Sequence, residues 1–171
     1  MKMNLVLFAT LLGLVLVSCK QEKKEWSRFI GFTPADIVGE YTFSNAADAF
    51  SNLIESDEGH LCPEALVNVT SPTSQTVSIT VKCPDHNLQK TFSGKPSLTP
   101  NAFQISMHGA WSSGLRRYGL TAEVMKNAQN VIRLRGNVSE DHYEREYNTQ
   151  TETYDTLYMY SVKYYFDVTN N

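Results

Sequence analysis

The chain reads as a mainly β protein: an eight-stranded antiparallel up-and-down barrel with one short amphipathic helix after the first strand. Three observations predict this. From Glu64 to the C-terminus, apolar residues recur at every second position in segment after segment, the spacing of strands with one buried face. The connections are short and carry Pro, Gly, Asn and Ser, which suits antiparallel neighbours. One stretch near the start changes to helical spacing. A sheet with a single apolar face must cover it, and closing on itself does so while removing exposed edges. A β-sandwich satisfies the same alternation and is the alternative architecture. No segment repeats at a fixed period, which argues against a solenoid or propeller.

The first seventeen residues carry Lys2, no acid, and an apolar run from Leu5 to Val17, the pattern of a secretory signal peptide. The run falls short of the roughly 20 apolar residues a membrane-spanning helix needs. Lys20, Glu22, Lys23, Lys24 and Glu25 follow it at once. Its end, Leu16-Val17-Ser18-Cys19, resembles the lipobox of bacterial lipoproteins. The resemblance implies cleavage before Cys19, a diacylglyceryl group on the Cys19 thiol, and a membrane held through that lipid. An ordinary signal peptide is the alternative, and it leaves Cys19 unpaired in an oxidising compartment. The expected organisation is residues 1–18 as lipoprotein signal, 19–33 as lipidated N-terminus and tether, and 34–171 as the β domain.

Lys20 to Glu25 is polar throughout and suits a solvated tether. Trp26, Phe29, Ile30 and Phe32 are too apolar to stay in water, so this segment is expected against the domain. Ile37, Gly39, Tyr41 and Phe43 share one face of the first strand. Ala46, Ala49, Phe50, Leu53 and Ile54 then follow helical spacing, with Ser44 or Asn45 as N-cap and Gly59 beyond the end. Val67 and Val69 mark the second strand, and Val77, Ile79 and Val81 the third. Pro72 predicts a longer loop between them, and Val67 is expected opposite Val77 or Ile79. Leu88, Lys90 and Phe92 share a face of the fourth strand; Phe103, Ile105 and Met107 share one of the fifth. His108 to Arg117 reads as a loop holding Trp111. Leu120, Ala122 and Val124 define the sixth strand, and Ile132, Leu134, Gly136 and Val138 the seventh. Ser139 to Thr153 is polar, the solvated end of a long hairpin. In the eighth strand Tyr158, Tyr160, Val162, Tyr164, Phe166 and Val168 are expected on one face.

Charge and cysteine content exclude several classes. Among charged residues the expected leader removes Lys2 alone, moving the formal balance from −3 to −4, unsuited to a phosphate backbone. Nucleic acid is therefore not an expected partner. Cys62 and Cys83 are an even pair in an exported chain and read as one disulfide. Zinc needs more ligands at closer spacing, and no metal is expected. His60, His86, His108 and His142 stand far apart, and no P-loop, dinucleotide turn, HExxH or nucleophile elbow is present. No enzyme activity and no cofactor are expected. Extended, Glu140, His142, Glu144 and Glu146 would share one face, a weak cation site or simply a charged hairpin.

Gly39-Glu40-Tyr41 looks like the opening of lipocalins and their calycin relatives, with tyrosine in place of tryptophan. With the lipobox, Val38 to Phe43 and the tyrosine-rich last strand, the chain resembles the lipocalin-like, calycin-like barrel lipoproteins of Bacteroidota. That resemblance implies a lipid-anchored protein of the bacterial cell envelope, at the outer membrane. The expected function is a non-catalytic module binding an apolar or glycan-like small molecule; the alternative is a structural or protein-interaction lipoprotein with a filled barrel. Trp111, Tyr158, Tyr160 and Tyr164 are the ring-bearing candidates for ligand contact. Asp155-Thr156-Leu157 resembles the O-glycosylation motif of secreted Bacteroidota proteins, which makes Thr156 a candidate modification site.

Overall fold

The computed structural model describes residues 25–45, 49–50, 59–97, 104–112 and 115–170. The leader, Cys19 and most of the predicted helix (46–48 and 51–58) lie outside the described residues. In chain order the strands are β1 (Ser27–Arg28), β2 (Gly39–Phe43), β3 (Gly59–Leu61), β4 (Leu66–Thr73), β5 (Thr76–Cys83), β6 (Leu88–Gly94), β7 (Gln104–Ser112), β8 (Arg116–Lys126), β9 (Ile132–Asn148) and β10 (Thr153–Thr169). There is no α-helix among the described residues. Ala49 and Phe50, inside the predicted helix, form a turn in which Phe50 has a φ of 58°, a left-handed backbone foreign to an α-helix.

The hydrogen-bonded order is β1-β8-β9-β10-β2-β4-β5-β6, with β7 also on β8 and β3 on β10. Every pairing is antiparallel except β3 with β10. β2 joins two groups of strands, because Gly39 to Tyr41 pair with β4 while Thr42 and Phe43 pair with β10. The expected closed barrel of eight strands is therefore corrected to an open antiparallel sheet of ten. Among the described residues β6 and β7 share no ladder; the chain just after β6 meets β7 at an isolated bridge, Ser97 to Ser106. Pro96 adjoins that bridge, and with no N–H and a fixed φ it cannot carry a ladder onward.

Alternation produces one core. Tyr41, Val67, Val69, Val77, Ile79, Val81, Phe92, Ile105, Leu120, Val124, Leu134, Val138 and Phe166 are all buried in a single cluster. Tyr41 is fixed within it by a hydrogen bond from its hydroxyl to the Ile37 carbonyl at 2.7 Å. Gly136 permits β8 and β9 to cross closely, since a Cβ there would collide with the Thr121 carbonyl oxygen and Ala122. Beside the cluster, Ser27 and Arg28 pair with Lys126 and Met125 of β8, and Phe32 is buried, so the apolar stretch after the tether lies along a sheet edge.

Two local expectations are corrected by bulges. Val67 faces Val81 rather than Val77 or Ile79, and the connection is the tight pair Ser74-Gln75. One extra β4 residue is absorbed between Thr70 and Thr73, where Pro72 needs no donor. A second bulge between His108 and Trp111 lets β7 continue, so Trp111 is a strand residue paired with Arg117. The Cys62–Cys83 disulfide is formed, joining the residue after β3 to the end of β5 with a Cα separation of 5.5 Å. Closing that loop contributes about 3 kcal/mol on the chain-entropy account.

On the opposite face of β9 and β10, Arg133 and Asp167 form a fully buried ion pair. Arg133 donates through Nε and a terminal nitrogen to the two carboxylate oxygens at 2.6 Å each. Arg135 adds a third contact at 3.0 Å, the Phe50 N–H reaches the same carboxylate, and the Trp26 ring lies 5.3 Å from the Arg133 guanidinium. A charge buried this deeply is stable only with its partner. Asp167→Ala, which takes the carboxylate away from the buried Arg133 and from Arg135, is expected to lower unfolding free energy by about 3 to 5 kcal/mol in urea titrations. A loss no larger than that of an exposed substitution would refute this account.

Candidate functional site

The site grows out of the β9–β10 hairpin, whose strands span 17 residues each against 11 for β8. The Tyr143 N–H donates to the Leu115 carbonyl at 3.0 Å, at the end of the β7–β8 hairpin. Beyond it, from Glu144 to Leu157, β9 and β10 pair with each other and form a projecting arm. Asn148 organises the tip: its side-chain oxygen accepts from the Gln150 and Thr151 N–H groups, and its amide nitrogen donates to Asp155.

A bulge in β10 decides which side chains face which way. Tyr158 opposes Tyr143 while Tyr160 opposes His142, so Met159 is an extra residue. Because strand side chains alternate strictly, one extra residue moves the preceding part of the strand to the other face. Tyr160, Val162 and Tyr164 continue the core face. Tyr158, Thr156 and Tyr154 lie on the outer face with Tyr143, Arg145 and Tyr147. The expectation that all the C-terminal tyrosines share a face is thereby corrected at Tyr158.

On the core face the side chains turn polar toward the arm. In successive cross-strand rows Leu120, Val138 and Tyr164 give way to Tyr118, Glu140 and Val162, and then to Arg116, His142 and Tyr160. Glu140 accepts from Arg116 at 3.0 Å and lies 3.3 Å from Nε2 of His142. His142 stacks on Tyr160 with ring centres 4.3 Å apart. Lys90 of β6 sets its ammonium 3.7 Å from the Tyr118 ring centre. His60, His86 and Tyr164 form a three-ring contact beside them. A groove of about 360 Å³ runs past Gly59, His60, Tyr160, Ser161 and Val162. Glu144 and Glu146 extend this same side of β9 but sit exposed on the arm, so they do not join Glu140 in a cation site. Cys62, Cys83 and His86 bring ligand-type atoms within 4.8 Å of one another, but the two sulfurs are bonded to each other.

On the outer face the rings form a ladder. Trp111 meets Tyr143 edge-on at 4.8 Å, Tyr143 meets Tyr158 at 5.7 Å, and nearer the tip Tyr147 meets Tyr154 at 5.2 Å. Trp111, Tyr147, Tyr154 and Tyr158 are all more than half exposed. Thr156 lies between the ring rows, exposed and opposite Arg145. The four candidate contact residues thus divide: Trp111 and Tyr158 belong to the outer ladder, and Tyr160 and Tyr164 to the core-face cluster. Sequence reasoning missed Tyr143, Tyr147 and Tyr154. Their signal was arithmetic, because in a hairpin turned after Asn148 the pairs 143/158 and 147/154 have the same sum.

Burial raises the Tyr164 phenol above its ordinary pKa of 10.0; Glu140 and Tyr118 add to the effect and Arg116 opposes it. The folded chain therefore holds this proton more tightly than the unfolded one. That stabilising contribution is complete below pH 10.0 and is lost as pH rises through the folded-state value. Ultraviolet titration of phenolate should show a late component that Tyr164→Phe reduces, the remainder coming from Tyr41, whose burial raises its phenol further; an unchanged curve would contradict this. No protein-family model, curated protein or solved structure matches the chain.

Proposed function

We propose that this protein is a lipid-anchored module of the bacterial cell envelope, at the outer membrane, that binds a glycan-like ligand without catalysing a reaction. In this reading it is a lipocalin-like, calycin-like lipoprotein whose ligand is engaged at the surface of the arm rather than inside the sheet. The observation that carries it is the ladder of Trp111, Tyr143, Tyr158, Tyr147 and Tyr154, which runs on the outer face from β7 across the base of the arm toward its tip, all but Tyr143 more than half exposed. Flat rings with hydroxyl groups at their tips offer an apolar surface and hydrogen bonds together, as a sugar ring requires. The inward apolar side chains support a surface site because they already fill one contiguous core. A two-stranded ribbon is marginal in water by itself, so large rings exposed on one argue for a surface meant to be covered.

A second reading is a lipoprotein that grips another envelope protein. It draws on the same filled interior and on the Tyr and Arg side chains of the arm with Trp111 at its base, residue types that protein interfaces favour.

The anchor and the ligand are tested separately. Replacing Cys19 with serine should move the protein from the membrane to the soluble fraction; persistence in the membrane would refute the lipid anchor. On an array of neutral and acidic polysaccharides the full chain should bind at least one. Trp111→Ala with Tyr158→Ala should weaken that binding about tenfold or more, the loss expected for a ring contact at a hot spot. Absence of binding to every polysaccharide would refute the glycan reading in favour of the second.

A further inference from the structure

We infer that the ligand of the arm is an anionic polysaccharide whose carboxylates meet Arg117 and Arg145 while its sugar rings lie on the tyrosine rows. This rests on the glycan reading above and adds the charge of the ligand. Arg145 stands between the Tyr147/Tyr154 and Tyr143/Tyr158 rows, opposite the small side chain of Thr156. Arg117 lies beside Trp111, with its guanidinium carbon 6.0 Å from the ring centre. Neither arginine has a carboxylate within 4.0 Å among the described residues. The strand acids of the arm sit on its other side, where Glu144 opposes Leu157 and Glu146 opposes Asp155; at its base Asp141 lies opposite Arg117 and accepts a hydrogen bond from Ser161 at 2.8 Å. The arm thus has a ring-and-cation face around Arg145 and an acidic face behind it, on a chain whose formal charge is −3.

The spacing suits a polymer. Cross-strand rows of one face recur about every 7 Å, so ring and cation rows alternate, and the two arginine rows stand about 14 Å apart along β9. A guanidinium fork takes a carboxylate in two parallel hydrogen bonds, which gives direction as well as charge.

The topology argues against the anchoring lipid surface as the anion. β1, where the tether enters, pairs with β8 at Met125 and Lys126, while the arm continues from the other end of β8 near Arg116. The two ends of β9 are about 50 Å apart at the rise of an extended strand. A chain fastened before β1 therefore holds the arm toward what lies beyond its membrane.

The test is titration of the full chain with polygalacturonate, a neutral β-glucan, and vesicles of anionic phospholipid, at low and high salt. Polygalacturonate should bind about tenfold or more tightly than the neutral polymer, and salt should weaken it. Arg145→Gln should remove most of that preference, and Arg145→Lys should restore part of it. Both positions are exposed or partly so, and unchanged circular dichroism will certify the fold. Equal binding of the two polymers, or a preference untouched by Arg145→Gln, overturns the charge assignment and leaves the glycan reading standing. Binding of the vesicles alone, or of none of the three, overturns the charge assignment, and the glycan reading falls with it when the polysaccharide array also binds nothing.

Discussion

Arg133 and Asp167 meet across β9 and β10 with no exposure to solvent, and much else depends on that contact. A buried guanidinium and carboxylate tolerate few arrangements, because each loses its hydration and must replace it with fixed partners, here chiefly the other, with Arg135 and the Phe50 N–H also on the carboxylate. The pair therefore holds β9 and β10 to one register at the end where the tether, β2 and the Phe50 turn converge. With Asp167 on one face, Phe166 and Val168 must point to the other, into the core. Leu134, Gly136 and Val138 do the same on β9. Slipping either strand by one residue would bury the wrong set along both strands.

The same ladder continues past the core, and its single extra residue separates two chemistries. Up to Tyr160 the last strand presents Phe166, Tyr164 and Val162 to the interior, grading into a cluster where Glu140, His142 and Arg116 satisfy one another. Past Met159 the pattern reverses and the tyrosines turn outward. An unbulged strand would have sent Tyr158 and Tyr154 to the acidic side of the arm. The bulge assembles them instead with Tyr143 and Tyr147 into one ring-bearing face, with Glu144 and Glu146 behind it.

Edges explain where the sheet stops. β8 carries both β1 and β7 along one edge, and β10 carries β3 and β2 along another, so short pieces share long strands rather than forming a uniform cylinder. The chain just after β6 touches β7 at Ser97 and Ser106, where Pro96 interrupts pairing. The disulfide acts elsewhere, tying the residue after β3 to β5, which holds the parallel β3 segment near β10.

Much of this was legible in the residues alone. Period-two apolar spacing determined the strand class and the inward positions up to the Met159 bulge, because alternation is a local property of extended backbone; the disulfide was read from the even cysteine pair. The polar stretch after Ser139 read correctly as the end of a long hairpin for the same reason. What the residues could not specify was anything that depends on which strand lies opposite. The bulges at Pro72, near Gly109 and at Met159, the strand position of Trp111, the open seam at Ser97, and the pairing of Arg133 with Asp167 are all consequences of register. Register is a relation between distant segments, so the tyrosine count was visible from one strand while the face each ring occupies was decided only by its partner across the sheet.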